Sequence, residues 1–136
     1  MAYFGAPVEQ PDHANRAVMC ALDMQQALAE LNRDFERRGM TPLRMGVGAH
    51  SGSVILGDIG AARRREFTAI GDTVNVAARV EQLTKVCGAP VLVTDETRRR
   101  VGRDLDFTAV EPLAVKGKSA PLQTYRVAPR PSDTGR

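Results

Sequence analysis

The fold of this chain is decided by the segment FTAIGDTVNVAAR, residues 67–79, which places a strand, a tight turn and a helix in direct succession. Gly71 supplies the turn, and Asp72 is expected to act as the N-cap of the helix. On that helix Asn75 and Arg79 lie four residues apart, so they project from the same face. Two polar side chains that point the same way beside a strand end indicate a nucleotide site.

The composition is that of a soluble globular protein of one domain or less. The chain has 136 residues, of which 43% are hydrophobic and 26% charged. No apolar run approaches the roughly 18 residues of a membrane span, and no secretory signal is visible. We therefore expect a cytoplasmic protein without direct membrane insertion.

Charge and cysteine usage limit the kinds of site to expect. The net charge is +3, and its surplus lies in two arginine runs at 63–65 and 98–100. These runs suit an anionic ligand, and solvated surface is the alternative. The two cysteines, Cys20 and Cys87, form no C-x-x-C pair and are expected to be reduced packing thiols. His13 and His50 lack the spacing of a zinc site.

The periodicity of apolar residues predicts a mixed α+β order. Gly39 marks the end of the first helix, which starts after Asp12 and buries one apolar stripe along its length. Residue 128 onward has too little apolar surface to order itself. The predicted strands are Tyr3-Phe4, 43–49, 53–56, 66–70, 90–93, 113–115 and 122–127, and the later helices are 73–86 and a short basic one capped by Asp95.

Residues 67–79 resemble the signature of the class III nucleotide cyclases, the adenylate and guanylate cyclase family. The resemblance is supported in family order by MAYFGAP at 1–7, GVGAHSG at 46–52, VILGDIG at 54–60 and VKGK at 115–118. It implies a ferredoxin-like α+β catalytic domain that converts ATP into 3′,5′-cyclic AMP and pyrophosphate for cyclic-nucleotide signalling. It also implies two Mg²⁺ or Mn²⁺ ions and a head-to-tail dimer whose sites combine residues of both subunits.

The resemblance assigns a role to each of five residues. Asn75 matches the residue that orients the ribose, and Arg79 the one that stabilises charge on the phosphate in the transition state. Thr68 matches the position that reads the purine, where threonine favours adenine. Arg63 matches a guanidinium that reaches the triphosphate from the partner subunit, and Lys116 supplies a further phosphate contact. The alternatives are a solvent-exposed helix face for Asn75 and Arg79, a strand-filling Thr68 and a solvated Lys116.

The family's two metal-binding aspartates have no counterpart here, because both would precede Met1. Asp58 and Asp72 are better explained as a turn residue and a helix cap, so we assign no metal ligand. We therefore expect residues 1–127 to be the C-terminal portion of an adenylate cyclase domain. Its N-terminal part would be missing, so it would be inactive alone, with an exposed sheet edge and exposed apolar helix surface.

Other functions stay open at this point. The chain is alternatively a non-catalytic cyclase-like dimerisation or regulatory module, or part of a guanylate cyclase. The expected partners are ATP and a second cyclase domain, either a copy of this chain or a complementary one. A nucleic-acid binder is disfavoured, because aromatic residues make up only 4% of the chain and follow no base-stacking pattern.

Overall fold

The computed structural model describes residues 1–59, 66–102, 105–113 and 122–129, with side chains except at positions 58, 59, 66–68, 112 and 113. Within those ranges the chain forms three helices and six strands, a mixed α+β fold of the class that the sequence predicts. In chain order they are α1 (His13–Arg37), β1 (Val47–Ala49), β2 (Ile55–Ile59), β3 (Glu66–Ile70), α2 (Asp72–Cys87), β4 (Val91–Thr94), α3 (Asp95–Arg100), β5 (Leu105–Leu113) and β6 (Leu122–Pro129).

The described strands form two sheets. Four strands follow the order β1-β4-β6-β5, in which β1 and β4 are parallel and the other two pairs are antiparallel. The remaining strands, β2 and β3, form a separate antiparallel ribbon that pairs Ile55 with Ile70. This ribbon leads directly into α2, so it carries the chain to the predicted nucleotide site.

The core lies on both faces of β4, whose four residues are all buried. Val91 and Val93 pack with Val18 and Ala21 of α1, whereas Leu92 packs with Val80 of α2. Because successive side chains of a strand point to opposite faces, the two helices cover opposite sides of the sheet. A continuous apolar strand between two helical layers is therefore the centre of this fold.

Helix α1 begins and ends where the sequence predicts, yet its apolar stripe is only partly covered. Ala14, Val18 and Ala21 are buried, whereas Met24 and Leu31, which belong to the predicted stripe, are each 44% exposed. A 25-residue helix is about 38 Å long, and four-residue β4 spans only about 13 Å. The helix thus extends beyond β4, the strand that its buried residues contact, and part of its apolar stripe stays exposed.

Several predicted boundaries are wrong. Tyr3 and Phe4 form no strand and belong to neither sheet of the described residues. Strand β1 is shorter than the predicted segment 43–49, and β5 begins at Leu105, well before residue 113. Strand β6 continues to Pro129, which pairs with Leu105, so it is two residues longer than the predicted strand 122–127. Residues 114, 115 and 130–136 lie outside the described residues.

Candidate nucleotide site

The start of α2 depends on a glycine rather than on the predicted aspartate cap. Gly71 is the N-cap, with φ of +144°, a backbone conformation that residues with a side chain rarely adopt. Asp72 is consequently the first residue of the helix, so its expected role as N-cap is wrong. Its carboxylate at the positive end of the helix dipole still favours the helical start.

Asn75 and Arg79 lie on α2 one turn apart, as the sequence predicts. Asn75 is exposed and Arg79 is half-buried, and neither side chain makes a hydrogen bond to another described residue. Asn75 lines a depression of about 360 Å³ at the junction of β3 and α2. Arg79 does not line it. Both polar groups are therefore available to a ligand that lies along this face.

The structure brings one more of the predicted residues to this junction. Thr68 lies in β3, where its backbone pairs with Gly57, and it precedes Gly71 by three residues. The described residues do not include its side chain, nor Arg63 or Lys116. The depression beside Asn75 is lined by the end of β3 and the first turn of α2, through Ala69, Ile70, Gly71, Asp72, Val74 and Asn75.

The C-terminal half of α2 packs against the backbone of β1 and of the residue before β1, where glycines leave no side chain in between. A Cβ atom added to Gly48 would lie 2.3 Å from the backbone nitrogen of Glu81 and 2.7 Å from the carbonyl carbon of Val80. A Cβ on Gly46 would lie 1.9 Å from the hydroxyl of Thr84. The glycine spacing therefore lets the helix approach more closely than any side chain allows. Two glycines on one face of an extended segment signalled this contact, which sequence reasoning missed.

A hydrogen-bonded loop, residues 50–53, holds the near end of α2, and sequence reasoning missed it as well. The Thr73 hydroxyl donates to the backbone oxygen of Ser53 at 2.7 Å. Ser51 and Thr97 share a hydrogen bond of 2.9 Å between their hydroxyls. The Nδ1 atom of His50 lies 2.7 Å from the Thr94 hydroxyl. The loop thus connects α2 to the junction of β4 and α3.

The surroundings of His50 lower its pKa. It is half-buried, and loss of hydration lowers its pKa below the ordinary value. The nearby carboxylates of Glu96 and Asp72 partly oppose this shift, and Arg100 adds slightly to it. Neutral imidazole is therefore the favoured form beside Thr94.

All three arginines of the run at 98–100 form ion pairs with two carboxylates of their own helix. Arg98 and Arg99 lie 3.0 Å from carboxylate oxygens of Asp95, and Arg100 pairs with Glu96 at 3.1 Å. Arg98 also stacks over the ring of Tyr125, 4.7 Å from its centroid. This run therefore behaves as the solvated surface that was the alternative to a ligand site. The run at 63–65 lies outside the described residues.

The residues that the structure describes contain no group of three or more histidine, cysteine, aspartate or glutamate side chains able to hold a metal ion. The side chains present thus do not fit the metal pair that the resemblance implies, and we derive no catalytic step through a metal. Cys20 is exposed and Cys87 is half-buried, and both are free thiols. Exposure of Cys20 contradicts its predicted packing role. None of the described helices is long and apolar enough to span a membrane.

Comparison with known proteins places these features in one family. The family described as "Adenylate and Guanylate cyclase catalytic domain" matches residues 1–129. Adenylate cyclase 1 of Rhizobium meliloti is 34% identical over 93% of this chain, and the Anabaena cylindrica adenylate cyclase is 35% identical over 82%. The chain spans only 19% and 24% of those two proteins.

Solved structures agree with the sequence comparison. The guanylyl cyclase Cya2 superposes with a TM-score of 0.83 at 32% identity, over 96% of this chain and 66% of that one. The adenylyl cyclase CyaB of P. aeruginosa gives 0.81 at 30% identity, over 96% and 67%. The guanylate cyclase domain of RhGC from Catenaria anguillulae, solved with GTP, gives 0.73 at 30% identity, over 93% and 65%. The chain therefore belongs to the adenylate and guanylate cyclase catalytic-domain family.

Proposed function

We propose that this chain supplies the ribose-orienting and charge-stabilising part of an adenylate cyclase site, which converts ATP into 3′,5′-cyclic AMP and pyrophosphate. The observation that carries the proposal is the placement of Asn75 and Arg79 on one face of α2, without a hydrogen-bonding partner among the described residues. Asn75 also lines the depression at the end of β3. A bound nucleotide would satisfy these groups.

The reaction sets the roles of the two residues. The ribose 3′-oxygen attacks the α-phosphorus, a new phosphorus–oxygen bond forms, and the bond to the pyrophosphate oxygen breaks. The Asn75 amide would hold the ribose so that the attacking oxygen lies in line with the leaving group. The Arg79 guanidinium would offer donors to phosphate oxygens as negative charge builds up on them. Neither residue has to change its protonation state.

ATP is the proposed substrate rather than GTP because of Thr68. It lies in β3 three residues before Gly71, and the two residues that follow it, Ala69 and Ile70, line the depression beside Asn75. A threonine hydroxyl both donates and accepts hydrogen bonds, so it suits the amino and ring-nitrogen edge of adenine. The solved relatives include both adenylyl and guanylyl cyclases, so the base preference rests on this residue.

The site is proposed to be completed by a second cyclase domain. No group of metal-binding carboxylates occurs among the described side chains, whereas the proposed reaction in this family draws on two metal ions. A partner domain would contribute the metal-binding aspartates, and this chain the residues of α2. One of the structural relatives is a dimeric guanylyl cyclase domain at 25% identity and a TM-score of 0.69.

A complementation assay tests the proposal. The chain is mixed with the CyaB catalytic domain in which the two residues aligned with Asn75 and Arg79 are replaced by alanine, and cyclic AMP is measured with ATP and Mn²⁺. Neither protein alone should make cyclic AMP above background. The mixture should make it, in an amount that rises with the chain concentration until it saturates.

The same assay separates the alternatives. A mixture that associates on gel filtration yet makes no cyclic nucleotide would contradict the proposal and favour a non-catalytic regulatory module. Cyclic GMP from GTP in place of cyclic AMP from ATP would identify a guanylate cyclase. Cyclic AMP from the chain alone would show that it needs no complementary domain, because one or two copies of it would then supply every group that the reaction requires.

A further inference from the structure

We propose that Thr73, Ser51 and His50 are positioning residues, which fix the first turn of α2 and thereby the orientation of Asn75. The inference rests on the proposed function, since it assigns these residues a role in the same reaction. None of them lines the depression beside Asn75. They act through the loop 50–53, which lies between α2 and the junction of β4 with α3.

The first connection joins the loop to the helix. The Thr73 hydroxyl donates to the backbone oxygen of Ser53 at 2.7 Å. A Cβ atom on Gly52 would lie 2.7 Å from that same hydroxyl, so the loop already approaches Thr73 as closely as its backbone allows. Thr73 is two residues from Asn75. A shift of the loop would therefore be transmitted directly to the turn that carries the asparagine.

The second connection joins the loop to the core. Ser51 shares a hydrogen bond with Thr97, and His50 shares one with Thr94. The two threonines are only 1% and 2% exposed, so they belong to the rigid interior. Hydroxyl groups buried to this degree need a partner, and the loop provides it. The loop is therefore fixed at two successive residues.

The rest of α2 explains why this connection matters for the site. Among residues 72–79 none is fully buried, and the first fully buried residue of the helix is Val80. In the first two turns Val76 contacts the core cluster of Val80, but it is only partly buried. A displacement of about 1 Å in a substrate-positioning group can lower a rate about a hundredfold. Partial loosening of the first turn should cost less, about tenfold.

Replacement of Thr73 tests the inference in the complementation assay. Thr73→Val keeps the shape of the side chain and removes the hydroxyl, so kcat should fall about tenfold while KM changes less than twofold. Thr73→Ser restores the hydroxyl and should restore kcat. Thr84→Val is the matched control, since it removes a hydroxyl hydrogen bond of the same helix that ends on Glu81 and does not reach the loop.

Backbone hydrogen exchange gives a second readout that needs no catalysis. In the isolated chain, Thr73→Val should raise the exchange rate of amides 74–78 about tenfold and leave amides 80–87 unchanged. Thr84→Val should not raise exchange at 74–78. Unchanged exchange at 74–78 in Thr73→Val, or an equal loss of kcat in Thr84→Val, would overturn the inference.

The two measurements also separate this inference from the proposed function. If the unaltered chain yields no product in the mixture, the proposed function fails, and the exchange data still decide whether Thr73 anchors the helix. If the unaltered chain yields product and Thr73→Val retains full kcat, the proposed function stands and the positioning role is wrong.

Discussion

The two halves of α2 differ in what holds them. Residues 80–87 pack against the backbone of Gly48, and Val80 and Thr84 are 0% and 3% exposed. Residues 72–79 contain no fully buried side chain and are tied to the loop 50–53 by Thr73. One half is therefore part of the core, and the other presents polar groups at the surface.

This difference shows how one helix serves both stability and a site. Close packing of residues 80–87 against glycine backbone fixes the helix axis, because neither partner can shift without a clash. Residues 72–79 then extend from that fixed axis and keep an exposed face. A polar pair spaced by four residues on this face has a defined direction without being buried. The following predictions test whether the two halves separate in this way.

The largest expected effect is on activity at residues 72–79. Asn75→Ala and Arg79→Ala should each lower the rate of the complemented reaction about a hundred- to a thousandfold, the usual cost of removing a well-placed donor. The free energy of unfolding should change by less than about 0.5 kcal/mol for Asn75→Ala, because an exposed side chain is removed. Initial rates and urea unfolding of the same preparations measure the two quantities.

The contrast between the two halves of α2 would be wrong if Asn75→Ala lost both activity and stability. A loss of several kcal/mol in Asn75→Ala would mean that residues 72–79 hold the fold as residues 80–87 do. Retention of full activity in both variants would remove the basis for the proposed roles and favour a solvent-exposed polar face.

The next largest effect is on stability, at the contact of residues 80–87. Gly48→Ala should cost about 3 kcal/mol of unfolding free energy, at the upper end of overpacking, because the added Cβ meets helix backbone that cannot rotate away. Gly57→Ala is the matched control, since a Cβ there meets no described atom within 4 Å. The shift of the urea midpoint, compared between the two variants, measures the difference. Equal stability in both would show that α2 does not rest on Gly48.

The order of elements was largely readable from the sequence. The strand, turn and helix of residues 67–79 follow from local chemistry, and the structure confirms β3 and α2 within a residue of the predicted ends. The division into two sheets was not readable, because strand pairing depends on contacts between distant residues. For the same reason Tyr3 and Phe4 read as a strand although no described strand pairs with them.

From the sequence we could predict only those site residues whose own type and spacing indicate a role. Asn75 and Arg79 follow from helical spacing together with the family resemblance. The loop contacts of His50 and Ser51 could not be predicted, since their partners Thr94 and Thr97 lie more than 40 residues away in sequence. Asp72 was misassigned as a cap because aspartate is favoured there, whereas the positive φ of Gly71 settles the actual start.

The smallest expected effect concerns pH and the loop that holds residues 72–79. Burial lowers the pKa of His50 in the folded chain below its unfolded value, so the unfolded chain binds a proton more readily. The associated stability is fully present above the unfolded pKa, about 6.5, and is lost as the pH falls through the lower folded pKa. His50→Gln keeps a hydrogen-bonding group for Thr94 and cannot titrate in this range. Its unfolding free energy should therefore decline less steeply below about pH 6.5 than that of the unaltered chain.

Urea unfolding at a series of pH values, with the two proteins compared at each, isolates this contribution, because every other titrating group is common to both. The effect is small since His50 is only half-buried, and the carboxylates of Asp72 and Glu96 partly offset the desolvation. Parallel curves for the two proteins would mean that His50 is hydrated alike in both states. The loop 50–53 would then be held by Ser51 and Thr97, without an anchor at the imidazole.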